Sequence, residues 1–294
     1  LLIFPIVLTA QDENKSTAIL EEESQWSAEK YKALITRTGD LSYTNPDSVI
    51  KLYSQYYQYF GSTKKDTLYF ELTNTVGASY YMKGDMDKAK SYYEEIAKFS
   101  NENQKGFKHF YAKSNVNLGM ISLSKGDLET AEKHFLICRN NLDKEPSKLS
   151  GDVKRELGLI DYYKGDPAKA REWMIQAKHD FDQIQNAEKL GEICNFIGVM
   201  TAQTGDFTGA MKWYKQSIAI SDSIEDYHSM ANVTQNLGTV YKELEQYDSA
   251  VTYLQKAYEL SLEHNKRGLP NVLNDYAHVY QSLGQAEKAI EKYK

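Results

Sequence analysis

The chain has 294 residues, of which 41% are apolar and 26% charged, and its net charge is −6. This balance is ordinary for a soluble globular chain, and the acidic sign argues against nucleic-acid binding, which needs a basic face. With only 5 Pro and 17 Gly there is little material for long disordered linkers, whereas 23 Tyr supply apolar rings with polar tips, suited to half-buried helix faces and grooves.

Residues 1–10, LLIFPIVLTA, are uncharged and run straight into the polar stretch QDENKS. An apolar run that ends on a small residue, Ala10, ahead of a polar start has the pattern of a secretory signal. It is too short to span a bilayer. Residues 1–10 are therefore expected to be the remnant of a signal peptide, and the chain to be exported, into the periplasm.

Residues 11–63 read as an N-terminal segment with one degenerate helical hairpin. Its first helix is expected from Gln25 to Thr38. Asn45-Pro46-Asp47-Ser48-Val49 opens the second, with a capping side chain and a Pro at the first helical position. Val49 lies 40 residues before Ala89, and Tyr53 takes the aromatic place four residues on.

From residue 64 to 294 one phrase recurs six times, the last copy being truncated. Its small residues are Gly77, Gly119, Gly158, Gly198, Gly238 and Ala277, spaced by 42, 39, 40, 40 and 39 residues. A turn follows at seven residues, an Ala at twelve and a large residue at sixteen, as in Gly198, Gly205-Asp206, Ala210 and Tyr214. Apolar residues within each half recur at three- and four-residue spacing, the mark of amphipathic helices. No stretch alternates with period two, so no strands are expected. The small residue lets two helices approach closely. The turn Gly ends the first helix in a left-handed conformation, and the Asp caps the second. The large residue is expected to fill the gap between repeats.

The six His are scattered, with no metal-binding or metalloprotease spacing, and no phosphate loop, dinucleotide fingerprint or nucleophile elbow occurs. Cys138 and Cys194 fit neither a disulfide framework nor a metal site and are expected to be buried free thiols. No catalytic residue, metal or cofactor is expected in these 294 residues.

The phrase resembles the tetratricopeptide repeat (TPR), with two departures: a period of about 40 residues against 34 in the standard repeat, and a mostly missing closing Pro. The resemblance implies an all-α, right-handed TPR superhelix, an α-solenoid of about seven helical hairpins, whose helix A lines a concave face. The longer repeat is similar to those of kinesin light chains, the Pins/LGN group and bacterial sensors and regulators.

In that family the contacting side chains lie three places before the repeat's small residue, one after it, and four to five after it. Carried over, the first place holds Asn74, Val116, Arg155, Asn195, Gln235 and Asn274, with Asn117 and Asn236 one place further on. Amides present a donor and an acceptor, which is what an extended peptide backbone needs. Tyr81, Tyr162 and His278 map to the same face. The groove so implied comprises Asn74, Tyr81, Asn117, Arg155, Tyr162, Asn195, Gln235, Asn236, Asn274 and His278, and its expected partner is a protein or peptide ligand.

The array, its apolar start and its Asn-Pro-Asp-Ser unit resemble the N-terminal region of Bacteroidetes sensor histidine kinases or membrane-bound transcription regulators. That resemblance implies the extracytoplasmic sensing or interaction region of a larger signalling protein, with membrane attachment only through a transmembrane helix downstream of residue 294. A free-standing exported scaffold, or the non-catalytic region of an enzyme with its active domain downstream, is the alternative reading.

Overall fold

The computed structural model describes residues 45–60, 67–102, 104–142, 144–285 and 287–288. The apolar segment 1–10, the expected helix from Gln25 to Thr38, and Ala289 and Tyr293 of the last copy lie outside the described residues. Twelve helices and no strand are found among the described residues. The chain divides into two compact units, up to Asp143 and from Lys144, so the division falls inside the repeat tract.

The first unit holds α1 (Pro46–Phe60), α2 (Thr67–Met82), α3 (Met86–Glu102), α4 (Gln104–Ser124) and α5 (Leu128–Asn141). The second holds α6 (Lys148–Tyr163), α7 (Pro167–Gln183), α8 (Ala187–Gln203), α9 (Phe207–Ser223), α10 (Tyr227–Glu243), α11 (Tyr247–His264) and α12 (Leu269–Ser282). The even-numbered helices are the A helices of the repeats and the odd-numbered ones the B helices. The degenerate copy begins as its sequence dictates. Pro46 starts α1, the Ser48 amide donates to Asn45 Oδ1 at 3.2 Å, and Val49 and Tyr53 are buried.

Each hairpin closes on its small residue. A Cβ built on Gly77 would stand 2.7 Å from the Tyr93 ring. On Gly119 it would stand 2.9 Å from Phe135, and on Gly198 2.6 Å from Tyr214. Met174 and Leu254 hold the same place against Gly158 and Gly238. The large residue sixteen places on was expected to fill the gap between repeats. It also closes against the glycine of its own hairpin, because helix B runs back antiparallel and brings that position level with the start of the phrase. The far side of the ring then meets the next hairpin: Tyr214 shares a core with Val233, Leu237 and Val240 of α10.

The turns follow the expected chemistry. Gly84, Gly126, Gly165, Gly205 and Gly284 have φ between 71° and 84°, the left-handed region where a Cβ costs about 1–2 kcal/mol. Asp85, Asp127, Asp166 and Asp206 each accept a hydrogen bond from the backbone amide three residues on, at 2.8–3.1 Å. The turn between α10 and α11 breaks both rules. Glu245 adopts φ 58° there, and Gln246 makes no side-chain cap. Two turns that follow B helices also place non-glycine residues, Gln185 and Glu225, in the left-handed region, but Asn186 and Asp226 beside them keep their caps. The missing cap after Glu245 forgoes about 1 kcal/mol.

The core of the first unit is aromatic, with Phe70 in ring contact with Phe99, Phe107 and Phe110 at 4.9–5.6 Å. Tyr80 stacks on Tyr92 across α2 and α3 at 5.6 Å, and Tyr241 on Tyr253 in the same place across α10 and α11 at 5.0 Å. The first hairpin of the second unit fills that place with charge. Buried Asp161 accepts from Trp173 Nε1 at 3.0 Å and from Lys169 Nζ at 2.9 Å. Nearby, Lys154 Nζ reaches the buried Asp180 at 2.6 Å. Cys138 and Cys194 are buried and free, and burial pushes their thiols up to about 12 and about 11.

The glycines within α8 separate by what surrounds them. At Gly191 an added Cβ meets nothing nearer than Ser221 Oγ at 3.4 Å, ordinary contact, whereas at Gly198 it collides with a buried ring. Gly191→Ala should therefore raise stability by up to about 1 kcal/mol through helix propensity. Gly198→Ala should lower it by about 1–3 kcal/mol through overpacking. Urea unfolding of the two variants checks the pair, and equal signs would refute the assignment of Gly198 as a contact point.

Candidate functional site: the inner face of the A helices

Within each unit, consecutive A helices touch one another, α2 with α4, α8 with α10 and α10 with α12, and they lie closer than successive B helices. The A side is therefore the inner side of the local curve. The residues expected to line a groove all stand on these helices.

Three of the four amides three places before the small residue, Asn74, Asn195 and Gln235, do not stand open. Asn117 Nδ2 donates to Asn74 Oδ1 at 2.7 Å. Asn236 Nδ2 donates to Asn195 Oδ1 at 2.9 Å, and Gln235 Nε2 to Asp275 Oδ2 at 2.6 Å. In all three pairs the residue three places before one small residue meets the residue two places before the next. The amides thus tie one A helix to its successor, and each tie is half-buried. A second tie joins Gln203 Nε2 to the Tyr162 hydroxyl at 2.6 Å, linking α6 and α8.

Arg155 holds the same register place in α6 but makes ion pairs. Its Nη1 reaches Glu192 Oε1 at 2.9 Å, its Nη2 meets the buried Glu156, and Lys189 Nζ completes the cluster at 2.7 Å from Glu192. Burial raises the Glu156 carboxyl above its ordinary range in spite of Arg155 beside it. Arg155 therefore serves the α6–α8 junction. Tyr81 is half-buried, and Asn274 and His278 are exposed on α12.

Open space on this face lies at the other register places; a further cavity of about 320 Å³ faces the B side, against Lys215, Asp222, Tyr253 and Lys256. A cavity of about 350 Å³ opens between α8 and α10, lined by Val199, Ala202, Gln203, Phe207, Tyr214, Asn236, Thr239, Val240 and Glu243. A second, of about 410 Å³, opens between α10 and α12 against Lys242, Glu243, Glu245, Tyr247, His278, Gln281 and Ser282. Val199, Thr239 and His278 stand one place after their small residues. Ala202, Gln203, Lys242, Glu243, Gln281 and Ser282 stand four or five after. Of the residues singled out from sequence, Asn236 and His278 line these cavities. Val199, Ala202, Gln203, Thr239, Lys242, Glu243, Gln281 and Ser282 were not singled out, although the same register offsets point to them. No group of three or more His, Cys, Asp or Glu that could hold a metal occurs among the described residues. None of their helices is long and apolar enough to cross a membrane.

Tetratricopeptide repeat profiles match residues 190–263, 230–294 and 76–100. These stretches are tetratricopeptide repeats, and the chain has the all-α fold of a TPR protein. No curated protein matches the sequence. Among solved structures, the apo form of RapI is similar with a TM-score of 0.71 at 16% identity, over 88% of this chain and 74% of that one. A Rap protein complexed with competence and sporulation factor gives 0.59 at 14% identity, over 90% and 75%. A signal transduction ATPase with numerous domains from Pyrococcus horikoshii, which carries a tetratricopeptide repeat sensor, gives 0.70 at 15% identity. That likeness covers 97% of this chain and 46% of the ATPase. At such identities the likeness is one of fold.

The amide ties carry a measurable coupling. A double-mutant cycle of Asn195→Ala and Asn236→Ala should give an interaction energy of about 0.5–1.5 kcal/mol, the net worth of one hydrogen bond. Urea unfolding of the four proteins measures it, and additive single effects would show that the bond contributes nothing.

Proposed function

We propose that the chain is an interaction scaffold that holds an extended protein or peptide segment along the inner face of its A helices. The observation that carries this reading is the division of labour on that face. Amides three places before the small residue tie neighbouring helices together. The places one, four and five after it are left lining open cavities. Helices with cavities in two successive gaps suit a strand-like ligand, whose side chains enter the cavities while its backbone meets polar groups such as Gln203 and Thr239. The Rap protein complexed with competence and sporulation factor supports the reading by its similar fold.

The scaffold is further proposed to be the extracytoplasmic sensing region of a larger signalling protein. The apolar run LLIFPIVLTA ahead of a polar start supports export. The ATPase with a tetratricopeptide repeat sensor supports the sensing role, and this chain spans less than half of its length. No chemical step is assigned to the repeats.

Val199→Trp fills the α8–α10 cavity from its wall. Against heptapeptides selected from a random displayed library on the full chain, it should weaken binding by about tenfold or more, the scale of a lost anchor. Lys215→Ala, on helix B, should leave binding unchanged. Equal affinity of the Val199→Trp and native chains would place the ligand elsewhere. For export, residues 1–24 fused ahead of a phosphatase active only outside the cytoplasm should give activity, and a silent fusion would reject it.

A further inference from the structure

The α10–α12 cavity differs from its neighbour in charge. The α8–α10 cavity is walled by Val199, Ala202, Phe207, Tyr214 and Val240, with one carboxylate, Glu243, at its edge. The α10–α12 cavity contains Glu243 and Glu245. Lys242 pairs with Glu243 at 3.0 Å, which leaves the Glu245 carboxylate as the uncompensated charge among these lining residues. Its remaining surface is polar, from His278, Gln281 and Ser282, beside the ring of Tyr247.

Glu245 comes from the turn that departs from the repeat, and Tyr247 opens the helix that follows it. Every other described A-to-B turn of the six copies has Gly at the place of Glu245. The four before it have an Asp cap where this turn has Gln246. A turn that gives up both its glycine and its cap at the rim of a cavity is disfavoured locally, and such departures concentrate at functional sites. The departure sets a carboxylate at the cavity's edge, where the repeat pattern would set a bare glycine; Tyr247 beside it holds the place that Phe207 holds in the neighbouring cavity.

We infer that the segment held on the inner face carries an apolar side chain into the α8–α10 cavity and a basic side chain, Lys or Arg, into the α10–α12 cavity against Glu245. This rests on the reading of the inner face as a peptide groove. Packed helices lie about 8–10 Å apart and an extended chain advances about 3.3 Å per residue, so the two side chains are spaced by roughly three residues. The Tyr247 ring at the lip gives the cation an aromatic face as well as a carboxylate.

The test uses the full chain and the library-selected heptapeptides. The selected set should share an apolar residue and a Lys or Arg about three positions apart. Glu245→Gly restores the repeat turn, so it should raise the melting temperature while weakening binding of a selected basic peptide about three- to tenfold, the range of a charge-assisted contact near the surface. The same peptide with its basic residue replaced by norleucine should bind the native and Glu245→Gly chains equally. A selected set without basic residues, or a Glu245→Gly chain that binds both peptides as the native chain does, overturns the inference. If Val199→Trp still abolishes binding in that case, the groove itself stands. If no peptide is selected, or Val199→Trp binds like the native chain, the groove reading fails and takes this inference with it.

Discussion

A ring of Tyr214 lies so close to Gly198 that a single methyl group there would stand 2.6 Å from it, and the same contact between a small and a large residue recurs from Tyr93 on Gly77 to Leu254 on Gly238. This contact fixes the distance between the helices of a hairpin and their register along the axis. Once the register is fixed, the places on helix A that face the next hairpin are fixed too. The amide ties follow from it: a residue three places before one small residue can meet a residue two places before the next because every hairpin is locked at the same level. The cavities between A helices are the remainder, opening beyond the ties towards the turn.

Because the close contact carries the geometry, the other places in the hairpin are free to change chemistry. Three places beyond the small residue and three beyond the Ala, two hairpins stack Tyr80 on Tyr92 and Tyr241 on Tyr253. Between α6 and α7 the same places hold Asp161 and Trp173, joined by a hydrogen bond with Lys169 added. A buried carboxylate is costly unless paired and hydrogen-bonded, and Asp161, Asp180 and Glu156 each have a cationic or indole partner within that hairpin. Desolvation offsets much of such an ion pair's attraction, so these groups are better understood as fixing which partners meet than as adding stability. The backbone pattern is indifferent to the exchange.

The hairpins were legible in the sequence because their signal is periodic and local. Gly, Asp, Ala and a large residue at fixed offsets each answer one steric or capping need, and the turns of Gly84, Gly126, Gly165 and Gly205 adopt the conformation their residues call for. The proposed groove was legible only in part. Its face followed from the resemblance to the tetratricopeptide repeat, but an Asn on that face can bond to a ligand, to water or to the next helix. Asn74, Asn195 and Gln235 bond to the next helix. That choice depends on a neighbour some 40 residues away, and the clue was the presence of paired polar residues at the two offsets. Val199, Ala202 and Thr239 carried no comparable mark: small and apolar residues look like core until the structure shows space beside them.

The ties also bear on how such a face could recognise a ligand. Had the amides stood free, a partner would have been gripped through its backbone at each repeat, with little regard to its side chains. With one acceptor or donor of each amide already used, backbone recognition is reduced, and discrimination shifts to the cavities one to five places further along helix A. Those places differ from repeat to repeat: Val199 against Thr239 and His278, Ala202 against Lys242 and Gln281. The tied amides are the element that three of these junctions share, and they join successive A helices at the same register. The variable places convert that register into a sequence of unlike pockets. On the proposed reading such an array would select its partner by the order of its pockets, and the one turn that departs from the repeat, at Glu245, lends its carboxylate to one of them.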